Sequence, residues 1–138
     1  MRVFIDTSAF YALLDRDDEN HQRAKTAWVG LLKDEGTLIT SNYVLVETFT
    51  LIQHRLGMDA VRGVQNDILP LVNIEFVIPE LHRSGVSALL SASRRNLSLV
   101  DCVSFEMMRT LEIKMAFAFD PHFREQGFSV VSRGSRHR

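Results

Sequence analysis

The sequence predicts a single α/β domain with a five-stranded, mainly parallel sheet sandwiched by helices. Short apolar runs alternate with longer segments of helical period, which is typical of strands joined by crossover helices. One run, residues 115–120, is apolar almost to its end, as expected for a strand buried on both faces. A chain of 138 residues, 46% of them hydrophobic and 24% charged, suits one globular domain and is too short for two ordinary ones.

The first third of the chain predicts a strand and two helices. The first strand covers residues 2–6, and a short helix follows it, for which Thr7 and Ser8 offer capping oxygens. Apolar residues at helical spacing then predict an amphipathic helix over 19–34, which Gly36 ends. The strand and its first helix therefore meet at a polar junction.

The middle of the chain predicts a second strand and a well-marked helix. The strand covers residues 37–40, and residues 41–42 can cap the helix that ends at Gly57. Asp59 can cap a further helical stretch, which Pro70 limits.

The last part of the chain completes the predicted sheet. A third strand covers residues 74–78 and precedes a helix over 80–95. Another helix starts at Asp101, and strands over 115–120 and 128–131 follow it.

Net charge gives no sign of a general nucleic-acid binder. The chain carries a formal charge of -1 at a pI near 6.5, and residues 1–132, the predicted domain, hold 13 Lys and Arg against 17 Asp and Glu. Residues 133–138 are predicted to be a separate basic tail. This tail either binds phosphates or is an ordinary solvated terminus.

The sequence also predicts where the protein works. No apolar run approaches the roughly 20 residues that a membrane helix needs, and Met1 leads straight into the first strand without a signal-peptide pattern. We therefore expect a cytoplasmic protein with no membrane partner. The single cysteine, Cys102, forms no internal disulfide and belongs to no zinc-type cluster, so a small buried residue is the simplest interpretation.

Two predicted strands end in an aspartate, Asp6 and Asp120. In an open parallel sheet, ligands bind beyond the carboxyl ends of the strands where the strand order reverses. Acids at the ends of neighbouring strands would therefore share one crevice. The alternative is that each aspartate only caps the helix that follows it.

Two further acids interrupt apolar surroundings. Glu47 lies between Val46 and Thr48 in a helix with apolar neighbours on most faces, where a carboxylate is costly to bury without a partner. Asp101 lies at a predicted helix start. A solvent-facing Glu47 and a capping Asp101 are the simpler alternatives.

Convergence of these four acids would require a cation. Two carboxylates about 4 Å apart repel by roughly 4 kcal/mol at an effective dielectric constant near 20. Oxygen ligands select hard divalent ions such as Mg²⁺ or Mn²⁺, and such an ion can activate water against a phosphodiester and neutralise the charge that develops.

Several segments together resemble the motifs of the PIN domain, and in particular those of VapC-type toxin ribonucleases. They are Phe4–Ala9, Glu47 in its helix, Leu97–Phe105, Phe119–Phe123 and the pair 127–128. The resemblance covers nearly the whole chain, in order and in spacing. It implies an endoribonuclease that hydrolyses RNA with Mg²⁺ or Mn²⁺, acts as the toxin of a toxin-antitoxin pair, forms a homodimer and binds a small antitoxin protein.

The resemblance also implies residue roles. The positions that match the family's acidic metal ligands and catalytic residues are Asp6, Glu47, Asp101 and Asp120. Ser8 matches a small hydroxyl residue that supports the first acid. Ala118 departs from the pattern, because family members often have Thr or Ser two residues before the last acid.

Other interpretations remain open at this point. A phosphatase of the haloacid dehalogenase kind also has an aspartate after its first strand, but it usually repeats an aspartate two residues on, where this chain has Ser8. A catalytically silent RNA- or partner-binding module is the third interpretation. His122, two residues after Asp120, is either a phosphate contact or an ordinary loop histidine.

Overall fold

The structure, a computed structural model, describes residues 1–131, so the predicted basic tail lies outside the described residues. Five strands form one sheet in the order β3-β2-β1-β4-β5, and every neighbouring pair is parallel. The strands are β1 (Arg2–Ile5), β2 (Thr37–Ser41), β3 (Asn73–Glu75), β4 (Met115–Phe117) and β5 (Ser129–Val131). The predicted fold class is confirmed, with a sheet that is parallel throughout.

Helices connect the strands. They are α1 (Thr7–Leu14), α2 (His21–Lys33), α3 (Asn42–Leu56), α4 (Met58–Gly63), α5 (Pro79–Ala92), α6 (Leu99–Thr110) and α7 (His122–Glu125). A π-helical turn and a 3-10 turn follow α4 and end before the strand β3. Within residues 1–131, none of these helices combines the length and apolar character needed to cross a bilayer.

The central strand β1 is buried on both sides. Val3, Phe4 and Ile5 have no exposed surface, although successive residues of a strand point to opposite faces of the sheet. Both faces must therefore be covered, and the crossover helices provide the cover. Cys102 of α6 is also buried, as predicted.

The strand order reverses between β1 and β4. From β1 the chain builds β2 and then β3 towards one edge of the sheet, and it returns to add β4 on the other side of β1. The carboxyl ends of β1 and β4 therefore flank the switch point, which is where ligands bind in sheets of this type.

Two predicted strands end three residues earlier in the structure. The third strand stops at Glu75, and Phe76 and Ile78 beyond it are exposed, because β3 is an edge strand that pairs only with β2. The fourth stops at Phe117, because the Phe119 amide donates to the Ser8 hydroxyl instead of continuing the ladder.

Helix starts differ from the prediction by a few residues. Asp6 is not the last residue of β1 but the N-cap of α1. The helix α6 begins at Leu99 rather than at Asp101, because Ser98 caps it. The predicted end of α3 is confirmed, and Gly57 has the positive φ of 93° that favours glycine at this position.

We predict that Gly85→Ala destabilises the protein. A Cβ at Gly85 of α5 would lie 2.4 Å from Cγ2 of Val103 in α6, a buried β-branched side chain with little freedom to move. We expect urea denaturation to give a free energy of unfolding lower by about 1–3 kcal/mol.

Gly63→Ala in α4 is the matched control. A Cβ there meets only Leu14 Cδ1, at an ordinary 3.7 Å, so the higher helix propensity of alanine should raise the free energy of unfolding by up to about 1 kcal/mol. Equal stability of the two variants would contradict close packing of α5 on α6.

Candidate active site

Asp6 stands at the end of the central strand with its carboxylate buried. Its side chain caps α1, and Oδ2 accepts hydrogen bonds from the Ser8 amide at 3.1 Å and from the Ser8 hydroxyl at 2.7 Å. Burial raises the pKa of Asp6 to about 7, and the charges of Asp101 and Asp120 contribute to this rise. The hydrogen bonds from Ser8 lower the pKa but do not cancel the effect of burial. Asp6 therefore caps a helix and also faces other carboxylates.

Ser8 connects the two strand ends of the switch point. Its hydroxyl donates to Asp6 and accepts from the Phe119 amide at 2.9 Å. The residue after β1 is thereby tied to the segment that leads into Asp120. The sequence predicted Ser8 as a support of the first acid, and this contact is consistent with that prediction.

Asp101 has two structural roles. It closes a capping box at the start of α6, in which the Ser98 hydroxyl accepts from the Asp101 amide and Asp101 Oδ2 accepts from the Ser98 amide at 3.1 Å. Burial raises the pKa of Asp101, and Asp120 raises it further, while Ser98 and His122 oppose the shift. Capping and membership of an acidic cluster are therefore compatible.

Asp120 is held by its own turn. Its Oδ1 accepts from the His122 amide at 2.9 Å. Ala118 offers no hydroxyl at the position where the family often has one, so the local turn, rather than a side chain on β4, orients this carboxylate. Its side chain is 27% exposed, which leaves it accessible from solvent.

Glu47 reaches the same region from α3, half-buried and held by a threonine. The Thr7 hydroxyl donates to Glu47 Oε1 at 2.7 Å, and the buried Thr48 hydroxyl donates to Thr7 at 3.1 Å. Burial raises the pKa of Glu47, and the charges of Asp101 and Asp120 raise it further. Glu47 is therefore not a freely solvated surface residue, and the simpler alternative is wrong.

His122 joins the acids, although its sequence position did not distinguish it from a loop histidine. Carboxylate oxygens of Asp101 and Asp120 and a ring nitrogen of His122 all lie within 4.8 Å of one another. The tight group contains neither Asp6 nor Glu47, which interact with it through their charges. The ordinary-loop interpretation of His122 is wrong, because the residue is buried.

The chemistry of this site favours a bound cation. The pKa values of Asp6, Glu47 and Asp101 are raised chiefly by burial, and mutual repulsion among the acids adds to the shift. A divalent ion would relieve both penalties, and the carboxylate oxygens are the ligands that hard divalent ions prefer. The donors present therefore fit the metal that the sequence predicts.

The chain is therefore a parallel α/β domain whose clustered carboxylates lie at the switch point, where proteins of this class bind ligands. Comparison with known families identifies the particular one. The PIN domain family matches residues 3–129, and the chain belongs to that family.

Relatives of known name support the assignment. The chain is 35% identical over 130 residues to the 23S rRNA-specific endonuclease VapC20 of Mycobacterium tuberculosis, in two strains, covering 94% of this chain and 97% of the relative. The crystal structure of VapC20 from that organism, described as a toxin that cleaves the sarcin-ricin loop, superposes with a TM-score of 0.80 over 91% of this chain and 95% of that one. FitAcB from Neisseria gonorrhoeae, 15% identical, shares the fold with a TM-score of 0.65 over 94% and 96% of the two chains.

The raised pKa of Asp6 predicts a pH-dependent stability in the absence of metal. The folded protein binds the Asp6 proton more tightly than the unfolded chain, whose ordinary value is 3.8. This contribution to stability is complete below about pH 4 and is lost as the pH rises through about 7. In EDTA, we expect the free energy of unfolding to fall over this range by an amount on the order of 2–4 kcal/mol.

Asp6→Asn keeps an acceptor for Ser8 and removes the titrating group, so it should flatten this dependence and be more stable than wild type at pH 8 in EDTA. Asp17→Asn, at an exposed position, should follow the wild-type curve. Denaturant unfolding at each pH measures the difference. Parallel curves for wild type and Asp6→Asn would contradict the buried, protonated Asp6.

Proposed function

We propose that this protein is a divalent-metal-dependent endoribonuclease that hydrolyses RNA phosphodiester bonds as the toxin of a toxin-antitoxin pair. The observation that carries the proposal is the close approach of carboxylate oxygens of Asp101 and Asp120, whose charges also raise the pKa of Asp6 and of Glu47. The 35% identity to an RNA endonuclease over nearly the full length of both chains supports the reaction type.

In this proposal Asp6, Glu47, Asp101 and Asp120 hold one or two Mg²⁺ or Mn²⁺ ions. Bound there, a divalent ion supplies an activated water and compensates the negative charge that develops on the phosphate. The proposal rests on the oxygen donors present and on the crowding of their charges.

The chain's own residues prepare the site. Ser8 fixes the carboxylate of Asp6 and links it to the segment before Asp120. Thr7 occupies one oxygen of Glu47 and leaves the other for an ion. These hydrogen bonds hold carboxylates at fixed orientations, so little reorganisation is needed when a phosphodiester enters.

The substrate we propose is structured RNA, and the sarcin-ricin loop of 23S rRNA is the first candidate because VapC20 is named for cleaving it. The acidic character of residues 1–132 leads us to propose a homodimer, in which basic edges of two subunits line one groove for the RNA. A small antitoxin protein completes the proposed set of partners.

The two alternatives remain distinguishable. A haloacid dehalogenase-like phosphatase would use Asp6 as a nucleophile, but Oδ2 of Asp6 accepts two hydrogen bonds from Ser8, and the charges of Asp101 and Asp120 act on this carboxylate. Turnover of p-nitrophenyl phosphate without RNA cleavage would favour that enzyme. Metal-independent RNA binding without cleavage would favour a silent binding module.

We predict that Asp6→Asn and Asp101→Asn each lower cleavage of structured RNA by about 100-fold or more, because each removes a charge that the site preorganises. The measurement is RNA cleavage with Mg²⁺, with Mn²⁺ and with EDTA, and we expect EDTA to abolish activity in the wild type. Asp17→Asn, at an exposed position in the turn after α1, should keep wild-type activity. RNA cleavage that persists in both variants, or in the wild type with EDTA, would contradict the proposed mechanism.

We predict that Thr7→Val lowers cleavage by about 10- to 100-fold, the usual effect of losing a residue that orients a ligand. Valine keeps the shape of threonine but cannot donate to Glu47. Thr7→Ser keeps the hydroxyl and should restore most of the activity. If Thr7→Val and Thr7→Ser behave alike in the cleavage assay, the hydroxyl does not position Glu47.

A further inference from the structure

The ring of His122 is buried but its Nδ1 lacks a hydrogen bond. The side chain is 10% exposed, and Nδ1 finds no hydrogen-bond partner among residues 1–131. Buried ring nitrogens in proteins are nearly always partnered, so an unpartnered one requires an explanation.

Both neighbours of this nitrogen are acidic oxygens. Nδ1 lies 2.9 Å from Asp120 Oδ1 and 3.6 Å from Asp101 Oδ2. The shorter contact has the length of a hydrogen bond without its geometry. The two contacts are those of an ion pair if the imidazole is protonated, and those of ligands that share one ion if it is neutral.

The spacing of these atoms matches ligands of one ion. Neighbouring ligand atoms of an octahedral ion bound at about 2.1 Å are about 3 Å apart. Asp101 and Asp120 each offer one oxygen near His122, so two oxygens and a ring nitrogen lie within 4.8 Å of one another. Neutral imidazole is a common metal ligand, whereas Mg²⁺ prefers oxygen alone.

From this geometry we infer that Nδ1 of His122 is a ligand of the divalent ion together with Asp101 and Asp120, and that it makes the site prefer Mn²⁺ to Mg²⁺. The inference rests on the proposed function, because it concerns the same site. A nitrogen ligand raises affinity for transition-metal ions along the series that begins with Mn²⁺ and adds little for Mg²⁺. His122 thereby distinguishes this centre from one made only of carboxylates.

The test uses Mn²⁺ alone as the probe, because its unpaired electrons report on the nuclei bound to it. Electron spin echo envelope modulation is recorded on the full-length wild-type protein loaded with one equivalent of Mn²⁺, with natural nitrogen and with ¹⁵N confined to histidine. We expect a nitrogen modulation that changes on histidine labelling. This comparison needs no substitution, so it does not depend on whether a variant folds.

Two variants identify which histidine is responsible. His122→Asn should lose the histidine modulation and lower the Mn²⁺ affinity at least about tenfold, with a smaller effect on Mg²⁺ measured by competition. His54→Asn, at an exposed position of α3, should keep both the modulation and the affinity.

The outcomes separate this inference from the proposed function. Stoichiometric Mn²⁺ binding without histidine modulation, or modulation that survives in His122→Asn, would overturn the role of His122 and leave the carboxylate centre intact. Absence of Mn²⁺ binding to the wild type would overturn both.

Discussion

The burial of several carboxylates close together, to which their mutual repulsion adds, is the constraint on which the site depends. Burial raises the pKa of Asp6 to about 7, and Glu47 and Asp101 shift in the same direction. A fold selected for stability alone would replace such residues, since each ionised carboxylate loses hydration and gains unfavourable neighbours. Their presence at the switch point of a well-packed sheet is explained by a cation that compensates their charge.

The fold tolerates this crowding because each of the three aspartates is also anchored by residues close to it in sequence. Asp6 caps α1, Asp101 closes a capping box on α6, and Asp120 is held by its own turn. Glu47 alone comes from a helix interior, and a hydroxyl from α1 orients it. Helix capping and the proposed metal binding are thus two uses of the same carboxylates. The helix starts fix where the acids point, and a cation would then relieve the charge that the fold has brought together.

Sequence patterns predicted the five-stranded, mainly parallel sheet, because apolar runs and the ends of strands are local signals. The shared site of four acids stays a prediction, of which the structure shows the close approach of Asp101 and Asp120. The lengths of the strands were predicted less well from the sequence. The exposed Phe76 and Ile78 looked like strand interior, and only the edge position of β3 explains their exposure. Thr7 was missed as a part of the site, because a threonine at a helix start is common on ordinary surfaces and its partner Glu47 lies 40 residues away. His122 was considered only as a phosphate contact or a loop residue, because its approach to Asp101 depends on how two helices pack.

The central claim is that these acids meet around a hard divalent ion, and anomalous diffraction from crystals loaded with Mn²⁺ tests it most directly. The account predicts an anomalous peak within coordination distance of carboxylate oxygens of Asp101 and Asp120, close to Asp6. Crystals whose Mn²⁺ peaks all lie elsewhere, with these side chains bonded only to protein and water, would contradict it.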